Sequence, residues 1–248
     1  MRKSIVALTT AGVSVAVFVT GPHPAEAADC QGASDLTIVS SAVTPDSVVI
    51  GTHFAQPLTV SASSGIPCEA VRVRATVGDT RQGPGNQLVR GDQVDTWAGE
   101  ITISPSDLDN TMAGTVDTTL MAYEFNDEDE VVYQREVNRD LHLYRAAQLT
   151  VNAYPEAVKR GATLTVTGRL QRANWDEGVY QGYPNRTVTL MFRVKNGSYA
   201  AVQQVTSGAG GALRATVPAD QDGYWVWDYA GNATTAKARP AGDYIDVR

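Results

Sequence analysis

From residue 36 onward, short runs of Val, Ile, Leu and Thr alternate with polar residues, and Gly, Pro, Asn and Asp break them at close intervals. No long stretch places apolar residues at i, i+3, i+4 and i+7, so the period is that of strands and not of helices. In the first half the pattern predicts strands at Leu36–Val43, Val48–Thr52, Leu58–Ser63, Val71–Val77, Ala98–Ile103, Val116–Phe125, Val131–Val137 and Leu141–Tyr144. In the second half it predicts them at Leu149–Ala153, Thr163–Leu170, Val188–Val194, Ala200–Val205, Leu213–Val217, Tyr224–Tyr229 and Tyr244–Val247. Strand starts roughly 8 to 15 residues apart favour a sandwich or barrel over βαβ units. The expectation is an all-β protein.

The chain divides near Arg145, where Ala146-Ala147-Gln148 runs directly into Leu149-Thr150-Val151. Units 28–145 and 146–248 are each close to the roughly 100 residues of an immunoglobulin-like sandwich, and so short a connector restricts their relative orientation. An internal echo supports the division. Ala113-Gly114-Thr115-Val116 and Asp222-Gly223-Tyr224-Trp225 both put a polar turn and a Gly just before a long alternating strand. Such a step belongs to the bend where an immunoglobulin-like chain crosses between sheets.

The second half resembles the immunoglobulin-like C-terminal module of small secreted proteins from actinomycetes. The resemblance rests on Leu149-Thr150-Val151-Asn152-Ala153, Thr163–Leu170, Arg172-Ala173-Asn174-Trp175, Asp222-Gly223-Tyr224-Trp225 and the closing Gly242–Val247. It is good over 146–248 and looser over 30–145. It implies two tandem immunoglobulin-like β-sandwich domains and a secreted protein. That family has no established catalytic residues, and some of its members carry calcium-binding labels.

Residues 1–27 read as a cleaved secretory signal peptide: Arg2 and Lys3, an apolar Ile5–Val19, then Ala25-Glu26-Ala27 as the small residues before the cut. The apolar run is shorter than the roughly 18 to 20 residues a membrane span requires. Asp29 before Cys30 does not fit a lipoprotein site, and the closing residues carry no apolar tail or sorting motif, so a released, extracellular protein without a membrane anchor is expected. In that compartment Cys30 and Cys68, the two cysteines of the chain, are expected to form a disulfide that pins the N-terminus to a later strand.

Charge and composition remove some functions. The formal charge of −7 argues against a nucleic-acid partner, which requires a basic face. Beyond the leader only His53 and His142 offer imidazole chemistry. His53 falls in a loop, and alternation turns His142 away from Leu141 and Leu143, toward solvent. Nucleophile elbows, zinc-protease motifs and phosphate loops are absent from the sequence. No catalytic residue and no resident cofactor are therefore assigned, although carboxylates far apart in sequence could still pair as in glycosidases.

Three features could carry binding. Asn126-Asp127-Glu128-Asp129-Glu130 forms an acidic hairpin tip, in which Asp127, Glu128, Asp129 and Glu130 would suit calcium; the same residues also suit an ordinary solvated turn. Trp225, Trp227 and Tyr229 share one strand face, a glycan platform if exposed and a sandwich core if buried. Asp228 on the other face favours core. Trp175, Tyr180 and Tyr183 sit in a Gly-containing loop at a sandwich end, where they either meet a ligand or fold back as a plug. Trp97 is a weaker candidate. The sequence thus points to a secreted, non-enzymatic binding or structural protein, with a cell-wall glycan or surface protein as partner. A calcium-binding module using 126–130 and a glycan-active enzyme with dispersed carboxylates are the alternatives.

Overall fold

The computed structural model describes residues 36–64, 70–78, 84–125 and 130–248, apart from the side chains of 132 and 133. The leader 1–27, Cys30, Cys68 and Asp127-Glu128-Asp129 lie outside the described residues. The first unit contains β1 (Ser40–Thr44), β2 (Ser47–Ile50), β3 (Gln56–Ser63), β4 (Val71–Val77), β5 (Gly85–Gln87), β6 (Val89–Arg90), β7 (Thr96–Ile103), β8 (Gly114–Phe125) and β9 (Val131–Arg145). The second contains β10 (Ala147–Tyr154), β11 (Ala157–Val158), β12 (Thr163–Asn174), β13 (Val179–Gly182), β14 (Thr187–Arg193), β15 (Ala200–Thr206), β16 (Ala212–Pro218), β17 (Gly223–Asp228) and β18 (Asp243–Val247). Among the described residues three-residue 3-10 turns are the helical content, and no described helix is long and apolar enough to cross a membrane.

Each unit is a two-sheet immunoglobulin-like sandwich. In the first, β1-β3-β7-β6 faces β2-β9-β8-β4-β5; in the second, β10-β12-β16, with β13 on the far end of β12, faces β11-β18-β17-β14-β15. Alternation sets what lies between the sheets. Leu58, Val60, Trp97 and Ile101 meet Val71, Val73, Leu120, Leu141 and Leu143 in one core; Leu164, Val166, Leu213 and Ala215 meet Val188, Leu190, Trp225, Trp227 and Ile245 in the other.

The two units repeat one topological device. The opening strand pairs antiparallel with its neighbour (β1 on β3, β10 on β12), then crosses to the opposite sheet and runs parallel to the last strand (β2 along β9, β11 along β18). A proline, Pro45 or Pro155, stands at each crossing and follows a cis peptide bond; lacking an N–H, it cannot continue the ladder. The paired Gly114 and Gly223 turns occupy equivalent places too, because β7 to β8 and β16 to β17 both change sheets.

Two expectations are corrected. Val131–Val137 and Leu141–Tyr144 are one 15-residue strand, because β8 offers a continuous partner through the polar stretch between them: Thr118 pairs with Arg139 and Asp117 with Asp140, and the Thr119 hydroxyl donates to Asn138 Oδ1 at 3.0 Å. Trp97 is core, 3% exposed, with the Arg90 guanidinium 4.9 Å from its ring centre. Trp225, Trp227 and Tyr229 are all buried, which makes that face core. Trp227 donates its indole N–H to the Thr167 carbonyl at 3.0 Å, and the neighbouring Gly168 has no room for a Cβ, which would lie 2.6 Å from the indole and 2.4 Å from the Thr150 carbonyl oxygen.

In the first unit Glu124 is 4% exposed, and its Oε2 has no hydrogen-bond partner. Burial holds its carboxyl above the ordinary carboxylate value. The folded state therefore keeps a proton that the unfolded chain releases. The stability tied to that proton is complete below the unfolded-state value and drains away as the pH rises through the folded one. Glu124→Gln is expected to stabilise the protein by about 1 kcal/mol at pH 7.5 and to change little at pH 4. Thermal melts at the two pH values check this, and an equal effect at both would contradict it.

Candidate functional site

Of the residues singled out for binding, Trp175, Tyr180 and Tyr183 lie where the two sandwiches meet. β12 runs five residues past its pairing with β16 and turns back as β13, so that Gln171–Asn174 pair with Val179–Gly182. The turn between them, Trp175–Gly178, closes through Gly178 at φ +65°, a left-handed conformation that suits glycine. This hairpin points toward the first unit because β10 begins beside it: Ala147 pairs with Arg172, one residue beyond the connector.

Trp175 is the plug of this joint. It is 4% exposed and packs with the first unit's core, together with Ala173. Its indole N–H donates to the Ile50 carbonyl at 3.1 Å, and the same oxygen accepts the Ala146 N–H at 2.9 Å. A buried indole needs such an acceptor, and the end of β2 supplies it. Tyr180 packs half-buried against the same core. Tyr183, 5% exposed, belongs to the second core. Trp175 and Tyr183, expected as ring surfaces for a ligand, are thus covered: Trp175 by the preceding unit, which fills that end of the sandwich, and Tyr183 by its own unit's core and by Arg172 and Arg186.

Asn110, in the turn between β7 and β8, clamps the hairpin from the other side. Its backbone N–H donates to Asp176 Oδ1 at 3.0 Å, its Nδ2 to Asn174 Oδ1 at 2.6 Å and also to Asp176 Oδ2, and its Oδ1 accepts the Trp175 N–H at 3.1 Å. The loop after β17 binds on the remaining flank. Arg145 donates its backbone N–H to Thr234 and accepts from Ala236, and the His142 Nε2–H donates to the Ala233 carbonyl at 2.6 Å. His142 was expected to point into solvent; it is instead half-buried between the units, its ring 4.2 Å from Tyr144. His53 is exposed and hydrogen-bonded to Thr52.

Three arginines far apart in sequence also gather here. Arg145, 7% exposed, donates its Nε–H to the Ala173 carbonyl at 2.6 Å. Burial, then the like charge of Arg172, lower its guanidinium to about 10, while Asp176 and Tyr183 act the other way. Arg172 and Arg186 stand 4.1 and 4.5 Å from the centre of the Tyr183 ring. Burial pushes the Tyr183 phenol up, but hydrogen bonds with Thr235 and Asn232 and the two positive charges outweigh it, so the phenol sits below its ordinary value. Nothing in the sequence pattern announced this group, because strand pairing and the β12–β13 hairpin create it.

Two cavities flank the joint. One of about 430 Å³ lies between Val49 and Tyr144 of the first unit and Ala230–Lys237 of the second; the other, about 270 Å³, is lined by the three arginines and Tyr183. Neither is lined by an aspartate or glutamate. Glu130, the described member of the acidic turn, is exposed. Among the described residues no three His, Cys, Asp or Glu side chains are grouped to hold a metal.

No protein-family model matches the chain, and no curated protein does. Solved structures similar to it include an ICAM-5 D1–D4 ectodomain fragment, 15% identical with a TM-score of 0.46, over 84% of this chain and 47% of that one. The Yersinia pseudotuberculosis adhesin InvE is 11% identical with a TM-score of 0.28, over 83% and 58%. The D0-D1 domain of intimin is 11% identical with a TM-score of 0.29, over 84% and 98%. The chain thus spans about half the length of the first two.

Proposed function

We propose that this is a secreted, non-enzymatic binding or structural protein that acts at or beyond the cell envelope as one stiff two-sandwich body. The observation that carries this reading is the joint. A tryptophan plug, a four-bond asparagine clamp and a strand-like bridge from Arg145 to Thr235 lock the units together, which suits presenting or spacing a surface. The joint also closes the loop end on which binding residues would otherwise sit.

Ring surface for a ligand is left on the outer face of the β14-β17-β18 sheet. Tyr224 and Tyr244 lie 5.1 Å apart there, and the Arg193 guanidinium stands 4.2 Å from the Tyr224 ring and 5.1 Å from that of Tyr199. Tyrosine rings with an arginine between them form a stacking surface for sugars or for a protein partner.

The test is retention of residues 28–248 on peptidoglycan, chitin, cellulose and whole cells. Retention on one matrix is expected to be released by its soluble oligosaccharide and to fall at least tenfold in Tyr224→Ala/Tyr244→Ala. Retention on none of the four would remove the envelope-binding reading and leave the structural one.

A further inference from the structure

The arginine-lined cavity is built for a ligand that the reading above does not use. Arg145, Arg172 and Arg186 line it together with Gln181, Tyr183 and Asn185. None of the three is within ion-pairing distance of a carboxylate among the described residues. Arg186 Nε is out of contact with water and has no hydrogen-bond partner. The nearby carboxylates are engaged elsewhere: Asp176 is bound by Asn110, and Glu177 accepts from the Gln181 side chain. Arg172 and Arg186 share one ring, and Arg145, more than nine-tenths buried, lines the same cavity, so three like charges repel each other in a protein whose net charge is −7. Such an arrangement is stable when an anion shares it.

We propose that this cavity binds a small, multiply charged oxyanion of the phosphate or sulfate class, held by the guanidiniums of Arg145, Arg172 and Arg186, two of which the Tyr183 ring positions. The planar guanidinium fork matches the oxygens of such a group. A lone carboxylate would leave most of the triple charge uncompensated. A volume of about 270 Å³ takes one group and not a polymer backbone, and the acidic remainder of the protein repels long polyanions. The ligand is therefore a free ion or a single terminal ester.

The experiment is thermal unfolding and calorimetric titration of the protein with sodium phosphate and sodium sulfate, against sodium chloride at matched ionic strength. Phosphate or sulfate is expected to raise Tm saturably, by about 5 °C at a hundredfold excess over Kd. Arg186→Gln and Arg172→Gln are each expected to weaken binding at least tenfold while raising Tm in the absence of the anion, because each relieves repulsion; a purely structural arginine would lower it. Glycerol 1-phosphate separates the sources: binding as tight as inorganic phosphate assigns a terminal ester, and binding of the inorganic ion alone assigns a free anion. No saturable shift beyond that of chloride, or an unchanged shift in both variants, would overturn the proposal.

Discussion

Trp175→Ala is expected to cost about 3–5 kcal/mol, the range for emptying a buried tryptophan site, and to split one cooperative unfolding transition into two. The side chain lies inside the first unit's core although it belongs to the second unit's hairpin, so its removal leaves a void that neither unit can close alone. The Ile50 carbonyl keeps its bond from Ala146 but loses the one from the indole. Trp175→Phe retains most of the buried ring and forfeits the N–H, at about 1 kcal/mol. Calorimetry measures both. A loss below about 0.5 kcal/mol for the alanine variant, the size of an exposed substitution, would mean that the ring is not a plug. The functional readout follows from the same geometry. If the units act as one body, NMR relaxation will give them a common tumbling time in the native protein and separate ones in Trp175→Ala.

Much of this architecture was legible in the alternation of apolar and polar residues. Thirteen of the fifteen expected strands, from Leu36–Val43 and Val48–Thr52 through Leu213–Val217 to Tyr244–Val247, overlap separate observed strands, and the remaining two are joined in β9. The inward face of Trp225, Trp227 and Tyr229 was readable from Asp228 on the opposite side. Short strands were not readable. β5, β6, β11 and β13 have two to four residues, too few for a period to show, and they exist because a longer neighbour offers free backbone groups. β13 matters most, since it turns the Trp175 loop into a hairpin. Sequence left that loop balanced between plug and binding surface, because a ring's exposure depends on what packs over it, and the covering atoms come from Ile50 and Asn110, more than sixty residues away. The arginine group was invisible for the same reason: Arg145 ends β9, Arg172 lies in β12 and Arg186 precedes β14.

Gly211→Ala is expected to be the most damaging single-methyl change near this site, at about 3 kcal/mol. Gly211 has φ +79°, and a Cβ there would lie 1.9 Å from the Leu170 carbonyl oxygen and 2.9 Å from the Tyr183 nitrogen. Those two atoms form a hydrogen bond of 2.9 Å, so the methyl group would push apart the backbone that seats Tyr183. The left-handed conformation alone costs an alanine about 1 kcal/mol, and displacing packed backbone adds typically 1–3 kcal/mol. No rotamer change relieves it, because both crowded partners are main-chain atoms. Gly208→Ala, three residues earlier, is the matched control: its φ is −82°, and its Cβ would meet nothing nearer than 3.7 Å. That variant is expected to stay within about 0.5 kcal/mol of the native protein. Chemical denaturation of the pair measures the contrast. Because Arg172 and Arg186 both pack on the Tyr183 ring, the Gly211 variant should also lose the phosphate-dependent rise in Tm, whereas the Gly208 variant keeps it. Equal stability of the two variants would show that the close approach of this turn to β12 is not a constraint on the fold.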